Sequence, residues 1–232
     1  MAVEAQVAQR VALVAGGTGA TGTALLQLLL RNNEFSRVHA LTRRPLSLDH
    51  PRLANRILKF DELAARVAGL RCTDAFCCLG AAQGPRAPAA ELRQVDVDLV
   101  LAFARAAQAA GATRLVVISA ARADRNAPQP FQRCKGEMEA ALRELRIPSI
   151  EILQPGPVLG LRPQGSATDL LRSVFLPLLN PLLRGGMAPS RAIQATDLAA
   201  AMQGVARSQR RGIYSYAGQN LRDLAIAGRR LV

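Results

Sequence analysis

The chain has 232 residues and a formal net charge of +13, and 50% of its residues are hydrophobic while 3% are aromatic. This length is enough to bury a large core in one α/β domain, and no run of about 18 apolar residues is present to span a bilayer as a helix. The segment Met1 to Gln9 lacks the basic start and apolar stretch of a signal peptide, so we expect a cytoplasmic, soluble protein without a transmembrane segment.

The positive charge is spread along the whole chain. Lys59 and Lys135 are its only lysines, and the arginines occur in every segment without a basic run or interleaved aromatic residues. Because a diffuse positive field attracts nucleic acid only non-specifically, we expect no specific nucleic-acid partner. The cysteines suit neither a disulfide framework nor a zinc site, so we predict reduced thiols and no metal at Cys72, Cys77, Cys78 and Cys134.

The first predicted element, a strand over Val11 to Ala15, runs directly into glycines spaced G-x-x-G-x-x-G. An apolar helical pattern over Thr21 to Arg31 follows at once. Such a strand, tight turn and helix N-terminus form a cradle for the pyrophosphate of a dinucleotide, because the free N–H groups of the first helical turn point at the anion. A glycine-rich turn in an ordinary α/β domain is the alternative. The predicted cofactor contacts of this turn are Gly16, Thr18, Gly19, Ala20, Thr21 and Gly22.

The three spaced glycines have different expected tasks. Gly16 takes the backbone angles of the turn, Gly19 lets the main chain approach a phosphate, and Gly22 lets the helix lie close to the strand.

Strand-like and helix-like patterns alternate as far as residue 155. The strands are apolar throughout rather than alternating, which is typical of a parallel sheet covered on both faces. We predict a doubly wound, mostly parallel α/β sheet of the Rossmann type, with a dinucleotide across the carboxyl ends of its strands. The further predicted strands are Val38 to Thr42, Arg56 to Lys59, Asp74 to Cys78, Arg114 to Ser119 and Ser149 to Leu153. The predicted helices between them are Glu62 to Ala68, Glu91 to Ala110 and Phe131 to Leu145.

The second strand ends in Ala40-Leu-Thr-Arg-Arg-Pro45, where the residue type selects the dinucleotide. An acidic side chain there accepts a hydrogen bond from the ribose 2′-OH of NAD, whereas an arginine pairs with the 2′-phosphate of NADP. Arg43 and Arg44 therefore favour NADP(H), through charge-assisted bonds. An exposed arginine pair in an arginine-rich chain is the alternative. Asp61, after the third strand, either caps the next helix or accepts from the adenine amino group.

The regularity drops after Pro155. The leucine-rich stretch Asp169 to Arg184 carries Pro177 and Pro181, so it is predicted to be a broken helix or lid, with association with a membrane surface as a weaker alternative. We predict one domain over residues 1–232, in which residues of about 155–232 form a substrate-side cap. Its predicted elements are a helix over Thr196 to Ala206, a strand near Ile213 to Tyr216 and a helix near Leu221 to Arg230.

Seven short stretches of the chain carry a family resemblance, which spans residues 11 to about 160 and is loose beyond them. They are Gly16 to Gly22, Leu41-Thr-Arg-Arg-Pro45, Phe76-Cys-Cys-Leu-Gly80, Val95-Asp-Val-Asp98, Leu115-Val-Val-Ile-Ser-Ala120, Lys135-Gly-Glu-Met-Glu139 and Gln154-Pro-Gly-Pro-Val-Leu-Gly160. With these stretches the chain resembles the atypical short-chain dehydrogenases/reductases, in the Tat-interacting oxidoreductase-like and NmrA-like branch.

The resemblance implies roles for individual residues. Leu79 and Gly80, after the fourth strand, match positions that contact the cofactor. Ser119 matches the serine that hydrogen-bonds the substrate carbonyl. Lys135 matches the lysine of a Tyr-x-x-x-Lys pair, which binds the nicotinamide ribose and lowers the pKa of the tyrosine. A solvated helix residue is the alternative for Lys135, although a lysine kept in an arginine-rich chain indicates a task for a compact ammonium.

Phe131 stands where the family has its tyrosine, four residues before Lys135. Phenylalanine has no proton to donate, and loss of a general acid typically slows a reaction by roughly 10²- to 10⁴-fold. Ser119, a water held by Lys135, or Cys134 are the candidate substitutes for the missing phenol.

Two functions follow as hypotheses. The first is an NADP(H)-dependent oxidoreductase on a small carbonyl or alcohol, weakened by Phe131, with Ser119 and Lys135 retained. The second is a non-catalytic NADP(H) sensor or interaction protein, which Phe131 favours. The substrate cannot be named from the sequence. The apolar helix Leu99 to Ala110 fits either the core or the face of a homodimer, and core is the commoner use.

Overall fold

The computed structural model describes residues 9–59, 62–160 and 191–230. The elements in these ranges are β1 (Arg10–Ala15), α1 (Ala20–Arg31), β2 (Phe35–Thr42), β3 (Leu53–Ile57), α2 (Leu63–Val67), β4 (Asp74–Cys77), a 3₁₀ turn (Gly84–Arg86), α3 (Ala89–Leu92), a π-helical turn (Arg93–Asp98), α4 (Leu99–Ala109), β5 (Arg114–Ile118), α5 (Pro130–Leu142), β6 (Ser149–Gln154), β7 (Val158–Leu159), β8 (Ile193–Gln194), α6 (Ala195–Val205), β9 (Gly212–Ala217) and α7 (Gln219–Arg229).

Within the described ranges, seven strands form one sheet in the order β3-β2-β1-β4-β5-β6-β9, and each neighbouring pair is parallel. The predicted doubly wound Rossmann sheet is confirmed. The strand order reverses between β1 and β4, because β2 lies on one side of β1 and β4 on the other. In such sheets the crevice at the carboxyl ends of these two strands is the place where a ligand binds.

Two apolar layers enclose the sheet. On one face, α2, α3, α4 and α5 cover side chains such as Leu115 and Val117, both fully buried. On the other face, α1, α6 and α7 cover Phe35 and Phe76, whose rings meet edge to face with centroids 6.2 Å apart. Burial on both faces explains why the strands read as continuous apolar runs.

Several predicted bounds differ from the structure: β2 begins at Phe35 instead of Val38, and α5 ends at Leu142 instead of Leu145. Two further differences have a clear physical reason. The third strand is Leu53–Ile57 instead of Arg56 to Lys59, because its earlier residues pair with Val38–Thr42 of β2. The predicted helix over Glu91 to Ala110 is divided by the π-helical turn between α3 and α4. A π-helical turn changes the direction in which successive side chains point, and this one carries Asp96 into the interior, where it is 1% exposed.

The C-terminal part of the chain contributes to the main fold. β9 pairs with β6 along Gly212–Ala217, and α6 packs against both α1 and α7. Part of the predicted cap thus lies in the sheet and its covering layer, while the assignment of the whole chain to one domain stays a prediction. The predicted lid, Asp169 to Arg184, and the candidate cofactor residue Asp61 lie outside the described residues.

The amino ends of the central strands are closed by charged side chains. The Arg10 guanidinium donates to both carboxylate oxygens of Asp74, and Arg114 also pairs with Asp74 at 3.2 Å. Both arginines donate further to the carbonyl of Ala206, after α6. This network ties three strands to the C-terminal part at the edge of the sheet opposite the predicted site.

Candidate functional site

The glycine turn, residues 16–22, connects β1 to α1 at the carboxyl edge of the sheet. Gly16 has φ +81°, and a Cβ atom there would lie 2.5 Å from the carbonyl oxygen of Cys78. A Cβ on Gly22 would lie 2.1 Å from the carbonyl oxygen of Gly16. Both distances are far below van der Waals contact, so the fold itself requires glycine at these two positions.

Gly19 is different from its two neighbours in the motif. It is the N-cap of α1 in extended conformation (φ −80°, ψ 164°), and the nearest described atom to an added Cβ, the Gly16 carbonyl oxygen, is 3.5 Å away. A Cβ at this position therefore makes only an ordinary contact with the described residues. A Cβ on Gly19 would instead occupy the space in front of the helix, which is where the motif places a phosphate.

The N-terminus of α1 is arranged for an anion. Among the described residues, no side chain caps this helix, and its first turn holds no acidic residue. The first N–H groups of a helix lack intrahelical partners, so those of Ala20, Thr21 and Gly22 are available to an external acceptor. Thr18 is exposed beside them, and Thr21 is buried. These positions fit the pyrophosphate of a dinucleotide.

The neighbouring strands bring the other predicted cofactor residues to the same edge. Arg43 and Arg44 follow β2 and are exposed. Leu79 and Gly80 follow β4, on the other side of β1. Burial, followed by the charges of nearby Arg56 and Arg37, lowers the pKa of His39 in β2.

Lys135 lies in α5 and is almost completely buried. Its ammonium Nζ is 2.7 Å from Oδ1 of Asp96, whose side chain is 1% exposed. It also donates to the carbonyl oxygen of Ile118 at 3.4 Å, and it stands 6.0 Å from the centroid of the Phe131 ring. The structure thus places Phe131 and Lys135 together on one face of α5, and adds to them a buried carboxylate.

Asp96 was not singled out by the sequence analysis. It joins the two sides of the site, because its Oδ2 accepts a bond from the N–H of Ala81 at 3.4 Å while its Oδ1 meets Lys135. The signal in the sequence was an acidic residue inside an otherwise apolar helical pattern, within the stretch Val95-Asp-Val-Asp98. A carboxylate buried to this extent needs a partner, and a partner of opposite charge is the usual one.

Ser119 follows β5 and is 3% exposed. Its hydroxyl donates to Oε1 of Glu139 at 2.5 Å, and the side-chain amide of Gln154 donates to both oxygens of the same carboxylate, at 2.9 and 3.1 Å. The Ser119 proton is thus directed at Glu139. To donate to a substrate carbonyl, Ser119 must first give up this bond. Glu139 lies one helical turn after Lys135, a spacing that places both on one face and was visible in the sequence.

Cys134, the thiol beside Lys135, is buried, and burial raises its pKa. Burial likewise raises the pKa of Cys77 to about 12. These thiols stay protonated near neutral pH, so they are neither nucleophiles nor ready proton donors. In the lysine corner, by which we mean Ser119, Phe131 and Lys135, the Phe131 ring carries no acidic proton and the Ser119 hydroxyl already donates to Glu139.

Comparison with known proteins decides the family. A family model described as NAD(P)H-binding matches residues 16–147. The chain belongs to this NAD(P)H-binding family. The protein HTATIP2 of Rattus norvegicus is 30% identical over 166 residues, which cover 70% of this chain and 68% of the relative. The mitochondrial protein FMP52 of Eremothecium gossypii is 31% identical over 151 residues, which cover 65% of this chain and 67% of the relative.

Solved structures share the fold of this chain at low sequence identity. MoeE5 in complex with UDP-glucose and NAD superposes with a TM-score of 0.64 at 19% identity, covering 92% of this chain and 80% of that one. A UDP-N-acetylglucosamine 4-epimerase from Methanobrevibacter ruminantium superposes with a TM-score of 0.66 at 18% identity, covering 90% and 76%. At this identity the likeness concerns the fold. The NAD(P)H-binding family model and the relative HTATIP2 confirm the family resemblance and support a nicotinamide dinucleotide as ligand.

No helix in the described part of the chain combines the length and the apolar character needed to cross a bilayer.

Proposed function

We propose that this NAD(P)-binding protein prefers NADP(H) to NAD(H), and that any reduction of a small carbonyl compound on it is slow. The preference is supported by Arg43 and Arg44 at the end of β2, where the family reads the ribose 2′ substituent. The slow chemistry is supported by one observation above all: at 6.0 Å from the Lys135 ammonium the chain presents the Phe131 ring, which carries no proton to give.

In this proposal the glycine turn and the residues after β4 hold the dinucleotide. Lys135 contacts the hydroxyls of the nicotinamide ribose, and Ser119 contacts the substrate oxygen after exchanging its bond to Glu139. A bound nicotinamide ring supplies or accepts the hydride. Asp61, at the start of the segment after β3, remains a proposed adenine contact or helix cap. The cytoplasm is the proposed location, although relatives named FMP52 are mitochondrial by name.

A non-catalytic NADP(H) sensor is the second candidate. The observation that favours it is the internal pairing of the lysine corner, because Lys135 meets Asp96 and Ser119 meets Glu139 with no ligand needed. Neither candidate function names a substrate or requires a homodimer. The apolar face of α4 is packed in the core.

Calorimetric titration with NADPH and NADH tests the cofactor choice. We expect NADPH to bind at least about tenfold more tightly, because one charge-assisted phosphate contact contributes on the order of 1.5–3 kcal/mol. Arg43→Ala should reduce that ratio without changing the affinity for NADH. Arg71→Ala, an exposed arginine before β4 at the amino edge of the sheet, is the matched control and should leave both affinities unchanged. Equal affinities of the wild-type protein for the two nucleotides would refute the preference.

A further inference from the structure

The segment after β2, which carries Arg43 and Arg44, is held by one side chain of the neighbouring strand. In Asn55 of β3, Nδ2 donates to the hydroxyl of Thr42 at 2.7 Å and to the carbonyl oxygen of Ala40 at 3.3 Å. Its Oδ1 accepts the backbone N–H of Leu46 at 2.9 Å. One amide group therefore fixes the chain immediately before and immediately after the arginine pair.

The residue type and its surroundings indicate a specific task for this amide. Asparagine is disfavoured inside strands, yet Asn55 is the central residue of β3 and uses both of its donors and its acceptor. Beyond the clamp, Leu46 and Leu48 pack against the apolar layer that α1 covers. Pro45 adds a fixed φ angle directly after the two arginines. The loop between Thr42 and Leu46 is thus restrained although its arginine side chains are exposed.

We propose that Asn55 is a positioning residue for cofactor choice, which holds the Arg43 and Arg44 backbone where a guanidinium meets the 2′-phosphate of NADP(H). The inference rests on the proposed NADP(H) preference. A restrained loop loses little conformational freedom when the phosphate binds, whereas a released loop must be ordered at that moment and binds more weakly. NADH has no 2′-phosphate, so its affinity does not depend on where these arginines stand.

The test compares Asn55→Leu with the wild-type full-length chain by calorimetry with NADPH and with NADH. Leucine has nearly the same size and makes none of the three hydrogen bonds. We expect the ratio of NADPH to NADH affinity to fall about three- to tenfold, corresponding to one or two neutral hydrogen bonds, while the NADH affinity changes less than about twofold. Asn220→Leu, the same substitution at an exposed position of α7, is the matched control and should leave the ratio unchanged.

Thr42→Val is the second variant, for the case that Asn55→Leu does not fold. Valine keeps the shape of threonine and removes only the 2.7 Å bond, so a loss of about twofold in the ratio is expected. Hydrogen exchange of the Leu46 amide gives a readout without nucleotide: it should accelerate in Asn55→Leu and stay unchanged in Asn220→Leu.

The outcomes separate this inference from the proposed function. A wild-type protein that binds NADPH and NADH equally well would overturn both. A wild-type preference that survives unchanged in Asn55→Leu, or in Thr42→Val if only that variant folds, would overturn the positioning role alone. An equal loss of affinity for both nucleotides would show that Asn55 supports the fold and not the choice, and would overturn the positioning role as well.

Discussion

The glycine turn and the lysine corner lie at the same edge of the sheet but differ in what their polar groups contact. In the glycine turn, the N–H groups at the start of α1 lack a side-chain cap among the described residues, and Gly19 is open to the cleft. In the lysine corner, Lys135 is paired with Asp96 and the Ser119 hydroxyl with Glu139. The N–H groups of the first region meet no side-chain cap, whereas the serine and lysine of the second region contact carboxylates inside the protein.

The comparison shows that a residue can match a family motif while its polar group already contacts another part of the protein. Serine and lysine match the family positions, and each meets a buried carboxylate of this chain: Ser119 donates to Glu139, and Lys135 pairs with Asp96. A buried group that is already paired gives up a bond when it turns to a substrate, and that loss reduces the gain. Binding of the dinucleotide can therefore persist while the chemistry is weak.

The largest effect should come from restoring the phenol in the lysine corner. Phe131→Tyr adds a hydroxyl on the face of α5 that carries the Lys135 ammonium, so it should raise NADPH-dependent reduction of small aldehydes or quinones by roughly 10²- to 10⁴-fold if the other groups can serve. The rate of NADPH oxidation measures it. Phe131→Leu, which adds no proton donor, is the control.

The same experiment can contradict the assignment of the chemistry to the lysine corner. If the wild-type protein already turns over briskly, and Phe131→Tyr changes nothing, the acid lies elsewhere and the lysine corner is not the site of chemistry. The gain should disappear when Asp96→Leu and Lys135→Met are added together. This double change removes the ammonium without leaving a buried carboxylate unpaired, since replacing both partners of a buried pair by apolar groups is often tolerated.

The next effect concerns the buried ion pair itself. Lys135→Met leaves the Asp96 carboxylate without its cation at 1% exposure, so the free energy of unfolding should fall by about 3–5 kcal/mol. Denaturant unfolding of the nucleotide-free chain measures this loss, and adding Asp96→Leu should recover most of it. A loss below about 1 kcal/mol for Lys135→Met would mean that the pair is not sealed from water, as exposed ion pairs contribute no more than this.

The smallest of the three expected effects concerns nucleotide binding at the glycine turn. The Cβ of Gly19→Val meets no described atom closer than 3.5 Å, and we expect its side chain to fill the space in front of α1. We expect an unchanged melting temperature without nucleotide and a loss of about 100-fold in NADPH affinity, seen as loss of thermal stabilisation by the nucleotide. Thr18→Val, beside the same turn, is the control.

Gly19→Val contradicts the assignment if the variant folds and NADPH stabilises it as much as the wild type. A variant that fails to fold would instead show that the fold requires glycine at position 19, as it does at Gly16 and Gly22. The contact distances predict that Gly22→Ala, and not Gly19→Val, is the change that unfolds the chain.

The sequence alone predicted the fold, because the fold depends on local patterns, and the same patterns give the place of the dinucleotide, which stays a prediction. Apolar strands bounded by turns, and glycines at fixed spacing before a helix, are readable without knowledge of any long-range contact. The boundaries of β3 and the division of the helix near Asp96 were not predicted, since both depend on pairing or packing with other parts of the chain.

Tertiary structure decided which polar groups are free. Asp96 lies 39 positions before Lys135 and Glu139 lies 20 positions after Ser119, and Asn55 is 13 positions after the hydroxyl of Thr42 that it holds. No pattern within a single helix or strand reports such distances, because hydrogen bonds and ion pairs act over a few ångströms in space and not along the chain. The residue types thus determined that this protein can bind a nicotinamide dinucleotide. The packing of α5 against β5 and the π-helical turn determined that its serine and lysine are held by buried carboxylates.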